Sequence, residues 1–133
     1  MRDQTATVIE NRQLNRDTFL LGLEVDLGAW RAGQFVMVKV SNGLEPFLRR
    51  PFGILASDNG RVDLYYKVKG TGTRAMSSLL PGARVDLLGP LGNGFPDCPD
   101  GRTPIMVAGG TGLPPIMALA RSLGRGELFL GAR

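Results

Sequence analysis

From residue 5 to about residue 88, apolar side chains recur at every second position in short runs, and Gly, Pro, Asn or Asp closes each run. That period belongs to strands with one buried face, because successive side chains point to opposite sides of a sheet. Phe19, Leu21, Leu23 and Val25 share one face of a strand, and Val36, Val38 and Val40 share one face of the next. Val62, Leu64, Tyr66 and Val68 line a third, with Asp63, Tyr65, Lys67 and Lys69 opposite. Residues 5–13, 52–57 and 84–88 bring the set to six. The segments Ser57-Asp58-Asn59-Gly60 and Pro81-Gly82 are turn signals. Short strands at this spacing predict an antiparallel barrel or sandwich. One helix interrupts them over residues 74–80, capped by Thr71 or Thr73 and stopped by Pro81.

After Asp97 the pattern changes. Cys98-Pro99-Asp100-Gly101 reads as a linker, residues 104–108 as a compact apolar strand, 109–115 as a glycine-rich turn, 116–123 as a helix and 127–131 as a second strand. Strand, glycine loop, helix and strand make one βαβ unit, the opening of a parallel α/β domain. A single unit cannot cover both faces of a parallel sheet, so it reads as a truncated domain. The expected division is a β-domain over 1–98 and the start of an α/β domain over 99–133. Ile105, Val107, Leu128 and Leu130 are then expected at the surface, which predicts a homo-oligomer.

Composition narrows the chemistry. The 133 residues contain no histidine and one cysteine, Cys98. A Ser-His-Asp triad, a Cys-His pair, a His/Cys zinc site, a four-thiolate iron–sulfur site and an internal disulfide are all excluded within them. The net charge is +4 and the pI about 9.8. Basic residues are scattered, with Arg49-Arg50 the only adjacent pair, so no nucleic-acid partner is expected. No apolar run approaches a membrane span, and the opening MRDQTATVIENRQ lacks a signal-peptide core. The expectation is a soluble, cytoplasmic protein with no membrane partner.

Four segments carry candidate chemistry. Leu48-Arg49-Arg50-Pro51-Phe52-Gly53 brings two guanidiniums to a rigid turn, where they can fork onto phosphate or remain solvated. Tyr65-Tyr66-Lys67 precedes Lys69-Gly70-Thr71-Gly72-Thr73, where backbone N–H groups opening a helix suit an anion; a core Tyr66 and an ordinary capped helix explain the same letters. Leu88-Gly89-Pro90-Leu91-Gly92-Asn93-Gly94-Phe95 permits close backbone approach or is a plain connection. Val107-Ala108-Gly109-Gly110-Thr111-Gly112-Leu113-Pro114-Pro115 has glycines between strand and helix, the context of a dinucleotide site. It departs from the G-x-G-x-x-G fingerprint, because prolines open the helix, and a plain tight strand-to-helix turn explains the same glycines.

Taken in order, these segments resemble the ferredoxin–NADP reductase superfamily. Within it, Leu-Gly-Pro-Leu-Gly-Asn-Gly-Phe beside Arg-Arg-Pro-Phe looks most like the electron-transfer subunits of dihydroorotate dehydrogenases, over nearly the whole chain. The resemblance implies a six-stranded Greek-key barrel that binds FAD, followed by the first βαβ unit of a Rossmann-like NAD-binding domain. It implies electron transfer between NAD(H) and a catalytic oxidoreductase subunit in pyrimidine biosynthesis, through an iron–sulfur cluster in the full-length parent. By position, Arg50, Pro51, Phe52 and Gly53 match the stretch that contacts FAD, with Arg50 on the diphosphate. Tyr65, Tyr66 and Lys67 match the second flavin stretch, Gly72 and Thr73 the phosphate contacts, and Gly109, Gly110, Thr111 and Gly112 the nicotinamide nucleotide loop. No side chain is assigned to catalysis or to a metal.

Two departures stand out. Family members commonly carry Ser or Thr where this chain has Gly53, so a hydroxyl expected near flavin N5 is missing and altered redox tuning is implied. The cluster cysteines also have no counterpart here; Cys98 precedes the nucleotide loop and matches no ligand. Alternatives on the same scaffold are the NAD/flavin reductase subunit of a hydrogenase or sulfide dehydrogenase. From another class, the alternative is a flavin-free binding barrel.

Overall fold

The computed structural model describes residues 1–40 and 48–131. Six strands form a closed antiparallel barrel: β1 (Arg2–Gln13), β2 (Thr18–Glu24), β3 (Phe35–Lys39), β4 (Arg50–Asp58), β5 (Arg61–Lys67) and β6 (Arg84–Leu91). Around the barrel they run β1-β2-β5-β4-β3-β6. The three consecutive strands β3, β4 and β5 are followed spatially by β2, which is the Greek-key arrangement. β6 pairs with both β1 and β3 and closes the ring.

The alternating residues point inward as expected. Leu21, Leu23, Val36, Val38, Ile54, Val62, Leu64, Tyr66 and Leu87 are each no more than 1% exposed. Irregular register at Val8/Glu10, Phe35/Met37 and Ile54/Ala56 bends the strands as barrel closure requires. Asn59 and Gly60, both at positive φ, make the tight turn between β4 and β5. On the outside, Arg61 bonds both Glu10 of β1, at 2.8 Å, and Asp63, at 2.7 Å.

A short helix, α1 (Thr71–Ser77), lies between β5 and β6 and lowers Met76, fully buried, into the core. It begins and ends three residues before the expected span, and neither threonine caps it from its side chain. The cap position is Gly70, whose φ of 98° turns the chain into the helix without a side-chain acceptor. Thr73 instead uses its hydroxyl to accept the Lys69 N–H at 2.6 Å. The far end of α1 is held by Asn11, whose amide nitrogen donates to the carbonyls of Met76 and Leu79 at 2.8 and 3.1 Å. The Asn11 carbonyl oxygen accepts the Tyr66 hydroxyl at 3.0 Å, so one side chain joins β1, β5 and α1.

Beyond the barrel, β7 (Ile105–Gly109) and β8 (Glu127–Gly131) pair in parallel on either side of α2 (Leu113–Leu123). A 3-10 turn over Gly110–Gly112 leads into α2, which starts earlier than expected and takes both prolines into its first turn, where they break no helical bond. Met106, Ala108 and Ala118 are buried, while Ile105, Val107, Phe129 and Leu130 are between 56% and 69% exposed. Leu128, expected among the exposed residues, is half-buried, and Phe129 is exposed instead. Parallel pairing puts Leu128 beside the buried Met106 and Phe129 beside the exposed Val107. Arg125 donates to the carbonyls of Cys98, Pro99 and Arg102, tying the linker to the turn before β8.

Candidate functional site

The site residues fall on three pieces of backbone at one end of the barrel. Arg50 to Gly53 open β4, Tyr65 to Lys67 end β5, and Gly72 and Thr73 lie in the first turn of α1. The glycine loop after β7 faces the end of β5. A cleft of about 780 Å³ brings together Tyr65, Lys67, Gly109, Gly110 and Thr111. Both walls have a reason in the sequence. Period-two alternation turns Tyr65 and Lys67 outward, and the glycines bring bare backbone to the opposite rim.

Tyr66 goes the other way. It is 1% exposed, its ring stacks on Phe19 at 5.4 Å and meets Phe52 edge-on at 6.1 Å, and its hydroxyl donates a hydrogen bond to Asn11 Oδ1. Burial in this apolar setting pushes its phenol up to about 12, with the Asn11 bond pulling weakly the other way. Tyr66 therefore holds the site's strands together and turns its side chain away from the cleft.

Arg50 is half-buried and donates from Nη1 to the Leu48 carbonyl at 2.9 Å. Its side chain crosses directly over Gly72, where a Cβ would collide with Nε, Cζ and Cδ. Arg49, its neighbour, turns to Asp3 of β1 with bonds of 2.9 and 3.0 Å to both carboxylate oxygens. The two adjacent arginines are thus divided between an ion pair with β1 and the first turn of α1. Phe52 packs inward on Tyr66, while Pro51 is exposed. Gly53 faces the start of α2, where a Cβ would lie 3.1 Å from Cδ of Pro115. The missing side chain at 53 is thus where the α/β unit leans on the barrel. Gly112 borders open space and does not line the cleft, and neither do Arg50, Pro51, Phe52, Gly53, Tyr66, Gly72 or Thr73.

Sequence reasoning missed Asn15 and Asp17, which also line the cleft. Asp17 pairs with Lys67 at 3.3 Å, and Asn15 Oδ1 accepts the N–H groups of Asp17 and Thr18, each at 3.1 Å. The available signal was an Asn at the turn between two strands, since such residues bond their own backbone two residues on. Placing that turn beside Lys67 needs the pairing of Thr18 with Lys67, a long-range fact. A second cavity of about 480 Å³, between Trp30, Phe95 and Leu119, holds none of the expected site residues. Among the described residues no acidic, cysteine or histidine cluster fits a metal ion, and no helix is long and apolar enough to cross a membrane.

The oxidoreductase FAD-binding domain family matches residues 5–95, the barrel and its following loop. The chain belongs to this family. As an FAD-binding-domain protein it has curated relatives among the electron transfer subunits of dihydroorotate dehydrogenase B (NAD(+)). The one from Lysinibacillus sphaericus is 38% identical over 128 residues, covering 92% of this chain and 50% of that protein. The one from Geobacillus thermodenitrificans is 40% identical over 123 residues, covering 88% and 48%. The chain spans about half the length of these relatives. Among solved structures, a cytochrome P450 reductase from Amycolatopsis is 30% identical with a TM-score of 0.84, covering 99% of this chain and 44% of that one. The ferredoxin reductase of carbazole 1,9a-dioxygenase is 27% identical with a TM-score of 0.84 over the same shares.

Proposed function

We propose that this FAD-binding domain holds FAD at the opening of β4, the end of β5 and the first turn of α1, in a protein that moves electrons between NAD(H) and a protein partner. The partner of choice is a catalytic subunit of the dihydroorotate dehydrogenase kind, which would place the activity in pyrimidine biosynthesis. Bound FAD would supply two-electron acceptance and one-electron release, which suits it to link a nicotinamide nucleotide to the iron–sulfur cluster expected in the full-length parent.

The observation that carries this reading is the seat of Arg50 on the first turn of α1, within the span matched by the family. A guanidinium held there beside backbone N–H groups offers forked donors to a diphosphate. Lys67, which lines the cleft, adds a second cation to Arg50, already oriented by Asp17. Phe52 and Gly53 offer backbone along one side of a planar ring, and Tyr65 offers a partly exposed ring of its own. Tyr66 contributes through its backbone and by fixing β5 against β4. Gly109, Gly110 and Thr111 present the rim over which a nicotinamide nucleotide would lie, with Gly112 behind them. With no histidine in the chain, these residues bind, orient and exclude water, and none is asked to move a proton.

The test is an absorbance spectrum of the protein purified with added FAD and then desalted. Visible flavin bands with extractable FAD are expected. A folded, colourless protein would overturn the reading in favour of a flavin-free barrel. For the partner, co-purification with a dihydroorotate dehydrogenase catalytic subunit is expected, and capture of a hydrogenase or sulfide dehydrogenase subunit instead would reassign it.

A further inference from the structure

We infer that Gly72 is a positioning residue: the space left by its missing side chain is the seat of the Arg50 guanidinium, and Gly72 acts on a bound diphosphate only through Arg50. The inference rests on the reading of Arg50 as the diphosphate ligand. It goes beyond that reading by assigning Gly72 a task other than direct contact with phosphate.

Two glycines in this segment separate the possible reasons for a glycine. Gly70 has a φ of 98° and nothing within 4 Å of the place a Cβ would take, so conformation explains it and space does not. Gly72 is the reverse. It lies inside α1 and is absent from the positive-φ glycines, yet a Cβ there would overlap Arg50 along Cδ, Nε and Cζ. It is buried, and Arg50 provides the nearest cover. On its other side Arg50 is fixed by the Leu48 carbonyl at 2.9 Å. The guanidinium is held between that carbonyl and the helix backbone, and an added methyl group at 72 removes one of the two supports.

This arrangement makes stability and binding move in opposite directions. Alanine is the better helix former, and the atoms in its way belong to a flexible side chain that can swing out. The Gly72→Ala protein should therefore melt at or above the wild-type temperature while holding FAD more weakly. A purely structural glycine would give the same sign for both.

The experiment is a double-mutant cycle on the whole 133-residue chain, titrating FAD into apoprotein and following flavin fluorescence. The proteins are wild type, Arg50→Ala, Gly72→Ala and the double variant, each also melted thermally. Loss of a charge-assisted bond predicts about tenfold weaker binding in each single variant. The double variant should bind within about twofold of Arg50→Ala, because the seat is irrelevant once its occupant is gone. A second cycle with Arg50→Lys supplies smaller losses if the alanine variants bind too weakly to measure. Wild-type affinity in Gly72→Ala, or losses that multiply in the double variant, would overturn the role of Gly72 while leaving the FAD site standing. No FAD binding by the wild type would overturn the site and this inference together.

Discussion

The barrel and the strand–helix–strand unit are made from similar apolar residues but bury them differently. In the barrel every strand has a neighbour on both sides, and the inner residues of all six are sealed from water. In the second unit two parallel strands share one helix, and one face of the pair displays Ile105, Val107 and Phe129 to solvent. The barrel closes on itself, whereas the unit leans on it, with the Pro114-Pro115 start of α2 set against Gly53 and Arg121 reaching the Leu55 carbonyl at 3.4 Å. On the proposed reading, the FAD residues sit on the closed element and the nicotinamide nucleotide residues on the leaning one.

The largest expected effect should come from emptying the closed core. Leu87→Ala should cost about 2–5 kcal/mol in urea unfolding, as buried leucine truncations do. Phe129→Ser should change stability by about 0.5 kcal/mol or less, since the ring is exposed. If the chain self-associates through that face, light scattering should show wild-type association that Phe129→Ser abolishes. Equal destabilisation by the two variants would erase the contrast between the regions.

A middle-sized effect is expected from alkali, and only in the barrel. The folded state keeps the Tyr66 phenol protonated up to about 12, whereas an unfolded tyrosine ionises near 10.0. Raising the pH through that interval releases the proton from the unfolded chain first and so favours unfolding. Wild-type stability should fall between pH 10 and about 12, and Tyr66→Phe should fall less over the same interval. Parallel curves would show that Tyr66 ionises freely.

The smallest effect should lie on the barrel's outer surface. The hydrogen bond from Arg61, more than any other influence, holds the Glu10 carboxyl below 4.5, and burial opposes it. That stabilisation is present above pH 4.5 and disappears as the pH falls through the folded-state value. Glu10 is a third exposed, so Glu10→Gln should cost about 0.5 kcal/mol or less at neutral pH and flatten the acid limb. An unchanged acid limb would remove Glu10 from the account.

What could be read in the sequence follows the same division. Alternation exposed the inward residues of β2, β3 and β5, because a half-buried strand repeats every two residues whatever its partners. It also grouped Tyr66 with Val62 and Leu64, the face that proves to be core. The strand order was legible only through family resemblance, because pairing β2 with β5 depends on distant contacts. The seat of Arg50 was hidden for that reason: residues 50 and 72 meet through the barrel, and neither local stretch announces the other. Gly70 left its mark in the other direction, since a positive φ at a helix start displaced the expected caps.

Asn11 has one more consequence, for the ageing of the protein. Its amide nitrogen faces the carbonyls of Met76 and Leu79, and its oxygen faces the Tyr66 hydroxyl. Deamidation would replace that nitrogen by a carboxylate oxygen and turn two attractions into lone-pair repulsions at the end of α1. A change of one mass unit, too small to alter the trace of the chain, would then loosen the helix whose first turn seats the Arg50 side chain.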